Sequence, residues 1–297
     1  MSRLTIITPT YREDLLRFTN LRKSIKRYAP TIPHLAIVQT EHIPLFREHF
    51  SSDSNLTLIS TSEVLPRSLE RVRRAYNHTL WRIVEKVARV LYLDPSLVRG
   101  WKIQQLTKLH ALSDISQSTA VFLDCDTLFM KKSLEEDYFQ NGKSILLESH
   151  AKTTEDIAFD ITTHLLTKSA LNTTCQYMNY IHVGATFNKS TARLLINDLN
   201  SKHNGNFERE FLRHQLPSEY NLLGHIAKNI EHYDGYAVFP SDPRGLTLEV
   251  RYKEDAELIQ TQQLGTPETR LKRYFLLQSN LSVDQKQLAQ LISSMLA

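Results

Sequence analysis

The segment Ala120-Val121-Phe122-Leu123-Asp124-Cys125-Asp126-Thr127-Leu128-Phe129 constrains this chain more than any other, because an apolar run stops there at two carboxylates one residue apart. A short continuous apolar run fits a strand covered on both faces, and in α/β proteins ligands collect beyond the carboxyl ends of such strands. Two carboxylates in that position repel one another and lose hydration unless a cation neutralises them. That requirement suits a hard divalent ion, magnesium or manganese, which also binds phosphate oxygens. The spacing alone carries little, since Asp-x-Asp arises on the order of once by chance in a chain of this length at average Asp usage. The apolar run before it carries the inference.

Around this segment the sequence alternates strand and helix signals. Leu4 to Thr8 reads as a first strand broken at Pro9, and Thr10-Tyr11-Arg12-Glu13-Asp14 opens a helix to about Tyr28. Leu35-Ala36-Ile37-Val38 and Leu56-Thr57-Leu58-Ile59 read as the next two strands, so the chain begins as a βαβ pattern with a parallel sheet. A helix after Pro66 runs to about Leu93, and another from near Gly100 leads into the carboxylate strand. On that second helix Gln104 and Lys108 share one face, as do Gln105 and Leu109. Later strands are predicted over Ser144 to Glu148, Ile181 to Phe187 and Tyr236 to Pro240, with a helix from Ser190 to Leu199. Another helix starts near Pro217-Ser218-Glu219, with Glu219 in its first turn. From Ser282, a capping box with Gln285 and the spacing Leu288, Leu291, Ile292, Met295 predict an amphipathic C-terminal helix.

With 41% apolar and 23% charged residues and only 8 Gly and 10 Pro, the chain is not a disordered or low-complexity one. Its length allows one large domain with a decorated C-terminal part. The two cysteines, Cys125 and Cys175, provide no disulfide framework and no zinc spacing, which suits a reducing compartment. Leu4 to Pro9 is too short for a signal peptide or a membrane span and no later stretch suffices, so the expected location is the cytoplasm. The net charge of +4 is local: Arg67, Arg71, Arg73, Arg74, Arg82, Lys86 and Arg89 face only Glu70 and Glu85. On a helix they form a basic face for phosphates or an anionic leaflet, or simply a solvated surface. No aromatic-interleaved basic platform accompanies it, so nucleic acid is not an expected partner.

The first strand with its Thr-Pro-Thr-Tyr-Arg loop, the parallel βα units and the mid-chain Asp-x-Asp together resemble a glycosyltransferase of the GT-A fold. The similarity extends to a bacterial group linked to capsule and lipopolysaccharide loci, in Gly100-Trp101-Lys102-Ile103-Gln104-Gln105-Leu106-Thr107-Lys108-Leu109, in Leu123-Asp124-Cys125-Asp126-Thr127 and in Ser218-Glu219-Tyr220-Asn221. It covers roughly residues 1 to 240. The resemblance implies a Rossmann-type, mostly parallel sheet flanked by helices. It divides the chain into a catalytic domain over 1–240, with a nucleotide half of about 1–130 and an acceptor half of about 131–240, and a helical extension over 241–297 packed on it.

The same resemblance implies a metal-dependent transfer of sugar from a nucleotide-sugar donor to a glycan or lipid-linked glycan acceptor of the cell surface, with contact to the inner membrane. Asp126 would be the direct ligand of Mn2+ or Mg2+, and Asp124 would contact the ribose or reach the metal through water. Thr8, Thr10, Tyr11 and Arg12 would cradle base and ribose, while Gln104 and Lys108 would face ribose, phosphates or sugar. Glu219 would act as general base in an inverting enzyme, or orient sugar or acceptor in a retaining one; a first-turn Glu is also a routine helix stabiliser. His164, His182, His225 and His232 are candidates for a further ligand, and the segment Phe239-Pro240-Ser241-Asp242-Pro243-Arg244 departs from the group's pattern.

Rival readings are a haloacid-dehalogenase-type phosphatase, a sugar-nucleotide nucleotidyltransferase and a catalytically inactive GT-A-fold binding protein. The first needs Asp-x-Asp-x-Thr, and here the threonine, Thr127, comes one residue early. The second usually carries a Gly-rich loop after its first strand, and Thr8-Pro9-Thr10-Tyr11-Arg12 has no glycine.

Overall fold

The computed structural model describes residues 2–76, 100–170, 176–240, 247–250 and 274–277. The N-terminal apolar runs form strands β1 (Leu4–Thr10), β2 (His34–Val38) and β3 (Leu56–Ser60), and the run before the carboxylates forms β4 (Thr119–Phe122). After β5 (Thr127–Phe129) and β6 (Lys143–Leu147), strand β7 (Thr186–Asn188) completes the central sheet. Its order is β7-β4-β1-β2-β3, parallel throughout except for the antiparallel β7 edge. This is the expected α/β class with a mostly parallel sheet.

Every residue of β1 is buried, and alternate side chains enter different cores, as the two-residue period of a strand demands. Leu4 and Ile6 pack with Leu21 and Ile25 of helix α1 (Leu15–Tyr28). Ile7 packs in the larger core with Leu106, Leu109 and Leu112 of the helix that precedes β4, and with Leu222 and Ile226 further along the chain. The strand does not break at Pro9 but runs on to Thr10, paired with β2 in the register Pro9 to Ile37. The backbone of Ile7 faces β4, since its carbonyl accepts from Leu123 N, so two residues on Pro9 faces the same way, past the point where β4 has ended. No ladder partner there requires the N–H that proline lacks.

Helix α2 (Ile43–His49) follows β2, and α3 (Arg67–Tyr76) follows β3. Arg73 of α3, expected on a basic surface, is 4% exposed and pairs with Glu41 at 2.6 Å and Glu70 at 2.7 Å, which leaves Arg71 and Arg74 in solvent. Arg82, Lys86, Arg89, Cys175, Ser241 to Arg244 and the helix expected from Ser282 lie outside the described residues. The strand expected over Ile181 to Phe187 shortens to β7, because a turn from His182 O to Ala185 N, with Gly184 at φ 71°, breaks the run. Strand β8 (Tyr236–Phe239) lies beside β6 in a separate small sheet. The described part of the C-terminal extension is strand: β9 (Thr247–Val250) pairs with β10 (Tyr274–Leu277), and β10 pairs antiparallel with β5, directly after Asp126. Among the described residues no helix is long and apolar enough to cross a membrane.

Candidate active site

Between β4 and β5 the chain turns over Asp124-Cys125-Asp126, closed by a bond from Thr127 N to Asp124 O of 3.0 Å. The turn sends the two carboxylates into different surroundings. Asp124 has a half-exposed side chain. Asp126 is half-buried as a residue, but its Oδ1 is fully buried and has no hydrogen-bond partner. Burial first, and then the charge of Asp124, push the Asp126 carboxyl up to about 7. A buried carboxylate oxygen left without a donor beside a second carboxylate fits a cation. No cluster of three or more His, Cys, Asp or Glu among the described residues is arranged to hold a metal, so an ion here would complete its shell with water and phosphate oxygens, as magnesium commonly does.

Helix α4 (Gly100–Asp114) delivers the next groups, with Trp101, Gln104, Gln105 and Lys108 on one face at offsets of three and four. Lys108 does not reach out as expected for a phosphate or ribose contact. It is 3% exposed, and its Nζ lies 2.8 Å from Asp124 Oδ1 and 3.0 Å from Glu219 Oε1. The contact to Glu219 is an ion pair without hydrogen-bond alignment. The ammonium also sits 5.1 Å from the Tyr220 ring centroid and 5.8 Å from that of Phe122, within cation–π range. Burial opposes its charge, but Asp124 and Glu219 outweigh burial and hold Lys108 well above the ordinary lysine range.

After helices α5 (Thr154–Thr167, between β6 and β7), α6 (Lys189–Lys202) and α7 (Phe207–Arg213), Glu219 opens helix α8 (Glu219–Asn229). Ser218 caps α8 by accepting from Asn221 N at 3.2 Å, and Gln105 Oε1 accepts from Glu219 N at 2.9 Å. Burial raises the Glu219 carboxyl, partly offset by Lys108 and reinforced by the charge of Asp124. Asn221 Oδ1 accepts from Tyr180 N at 3.0 Å and so fixes the segment that runs into Ile181 and His182. The three motifs singled out in the sequence therefore meet at one place.

Two cavities open there and share a wall of Trp101, Gln104, Asp124 and Asp126. The larger, about 650 Å³, is also lined by Tyr11, Asp14 and Arg17. The smaller, about 310 Å³, is also lined by Lys108, Glu219, Glu155 and His182. Tyr11, Gln104, Lys108, Asp124, Asp126 and Glu219 thus come together. Thr8 does not join them: it is fully buried, with Oγ1 3.0 Å from His34 Nε2. Thr10 is buried outside either lining, and Arg12 projects into solvent with its backbone N–H donating to His42 Nδ1 at 3.2 Å. Of the four candidate histidines, His182 lines the smaller cavity; His164 instead bonds Ser169 Oγ at 2.7 Å and lies against the His225 ring. Sequence reasoning missed Asp14 and Arg17, an ion pair of 3.1 Å just beyond the first loop, and Trp101, whose place on the face of Gln104 and Lys108 was the available signal.

The structure is similar to that of the apo-form glycosyltransferase GlyE of Streptococcus pneumoniae TIGR4, at 12% identity and a TM-score of 0.46, covering 100% of this chain and 62% of that one. It is also similar to galactosyltransferase LgtC solved in complex with donor and acceptor sugar analogs, at 9% identity and a TM-score of 0.48, covering 98% of this chain and 95% of that one. The chain thus spans less than two thirds of the length of the GlyE chain. No curated protein matches it by sequence. The model of DUF6492, a family of unknown function, matches residues 3–297, and the chain belongs to that family.

Proposed function

We propose that this protein is a metal-dependent glycosyltransferase that moves a sugar from a nucleotide-sugar donor to a glycan or lipid-linked glycan of the cell surface, in capsule, lipopolysaccharide or O-antigen synthesis. The observation that carries the reading is the wall shared by the two cavities, where a buried, unpartnered carboxylate oxygen of Asp126 stands beside the Lys108 bridge between Asp124 and Glu219. Tyr11 and Arg17 would border the nucleoside and its phosphates in the larger cavity, and Gln104 would stand at the junction with the sugar. Asp126, with Asp124 beside it, would hold Mn2+ or Mg2+, and the bound ion supplies Lewis acidity toward the charge on a leaving diphosphate. Glu219, ion-paired through Oε1, would present its carboxylate to the acceptor hydroxyl and take its proton if configuration inverts, or orient it if configuration is retained.

The catalytic unit would span residues 1–240, with 241–297 packed against it; the pairing of β10 with β5 supports that packing. A cytoplasmic position with peripheral contact to the inner membrane accords with the exposed Arg71 and Arg74. The test is nucleotide release from UDP-, GDP- and CMP-sugars with simple glycosides as acceptors, in Mn2+, Mg2+ or EDTA. One nucleotide class should turn over only with metal, and Asp126→Ala should lower that rate by roughly a hundredfold or more. Turnover indifferent to both metal and Asp126, or turnover of no donor, would contradict the proposal.

A further inference from the structure

The smaller cavity carries information about charge. Besides Asp124 and Asp126, its lining includes Glu155, Asp156 and Glu219, against a single lysine among the described residues, Lys108. The Lys108 ammonium is already engaged by Asp124 and Glu219. Glu155 and Asp156 come from the first turn of α5, whereas Asp124 and Asp126 come from the turn after β4 and Glu219 from α8, so three separate elements contribute the negative lining. Even with a divalent ion neutralising Asp124 and Asp126, Glu155, Asp156 and Glu219 outnumber the one cation. A carboxylate only accepts hydrogen bonds, so this lining suits hydroxyl donors and repels a second anion.

A second feature is independent of charge. Trp101 is 43% exposed, unusual for a residue of its size, and stands in the wall common to both cavities. Its indole packs against Phe159 with centroids 6.0 Å apart and remains accessible to the cavities. An open indole offers an apolar face to the C–H face of a pyranose ring while the ring's hydroxyls point outward. The volume of about 310 Å³ lies at the lower end of ligand cavities, roughly 300–1,000 Å³, as suits a single sugar residue.

We infer that the smaller cavity selects an uncharged pyranose, laid on Trp101 and hydrogen-bonded by its hydroxyls to the surrounding carboxylates, and rejects sugars that carry a carboxylate or phosphate. The inference rests on the transferase reading above and narrows its substrate class.

The test uses matched pairs that differ only in charge: methyl β-D-glucopyranoside against methyl β-D-glucuronide, the corresponding galactoside pair, and lactose against sialyllactose. Each is titrated into the full chain by saturation-transfer NMR in Mg2+, with and without UDP or GDP. At least one neutral member should bind, and its anionic partner should bind at least about tenfold more weakly, which corresponds to roughly 1.4 kcal/mol. Trp101→Ala should remove the neutral contact and Trp101→Phe restore part of it, while Glu155→Gln should narrow the gap between the members of a pair. Equal or tighter binding of the anionic members, or wild-type binding by Trp101→Ala, would overturn the inference. So would the absence of any saccharide contact in a protein that still responds to nucleotide and metal, a result that leaves the transferase reading standing; loss of both responses would overturn the two together.

Discussion

At the scale of single residues, Lys108 shows how a buried charge organises a site. An ammonium in a buried position is sustained only by opposite charge, and Glu219, with a side chain 2% exposed, is its buried partner. The half-exposed Asp124 contributes less through solvent screening. Lys108→Met should therefore destabilise the chain by about 3 kcal/mol in urea unfolding, because Glu219 is left charged without a counterion. Adding Glu219→Gln should restore most of that loss, whereas a double variant no more stable than the single one would show that the ammonium acts through packing alone. His34 gives a second residue-level prediction. Burial, assisted by Arg22, lowers its pKa to about 3 from an ordinary 6.5. Its neutral form in the fold contributes stability that is full above 6.5 and is lost as pH falls from there toward about 3, because the unfolded chain takes up the proton first. Urea midpoints measured across that window should fall less steeply in His34→Gln than in the wild type.

At the scale of elements, α8 positions much of the smaller cavity. Gly224 lies against the face of Tyr180, where an added Cβ would stand 2.2 Å from the ring, and the Tyr180 backbone is in turn tied to Asn221. Gly224→Ala should cost roughly 1–3 kcal/mol of stability through overpacking. It should also weaken any ligand of the smaller cavity, since Tyr180 leads into Ile181 and His182; unchanged urea midpoints would show that the ring can move aside. The β1, β2 and β3 strands, α4 and the start of α8 were legible in the sequence because apolar runs, caps and helical offsets are local signals. The extent of β7 was not, because the turn at His182 to Ala185 interrupts an otherwise strand-like run. Nor was the fate of Thr8, whose burial follows from helices covering both faces of β1, after which its hydroxyl found His34. Arg17 and Trp101 became site residues only through the placement of α1 and α4 around one carboxylate turn, which no local pattern encodes.

At the scale of the molecule, the two carboxylates sit where the central sheet ends and a second sheet begins, since β5 leaves that turn to pair with β10 near the C-terminus. Removing the chain beyond residue 240 takes away the only strand paired with β5 among the described residues, and should lower both the melting temperature and the response to metal. A truncated chain that melts and binds metal like the full one would show that the turn is held by the central sheet alone. Asp126 is the residue on which metal and nucleotide binding would depend, because burial of its unpartnered Oδ1 is unfavourable without a cation. The most direct measurement is thermal unfolding of wild type and Asp126→Ala with UDP, GDP, CDP and CMP, each with and without manganese. A ligand at about a hundred times its dissociation constant adds roughly 2.7 kcal/mol to the folded state, a visible rise in melting temperature. One nucleotide should stabilise the wild type only when metal is present, and Asp126→Ala should lose that response; no shift with any nucleotide, or an equal shift in the variant, would contradict the assignment of this site.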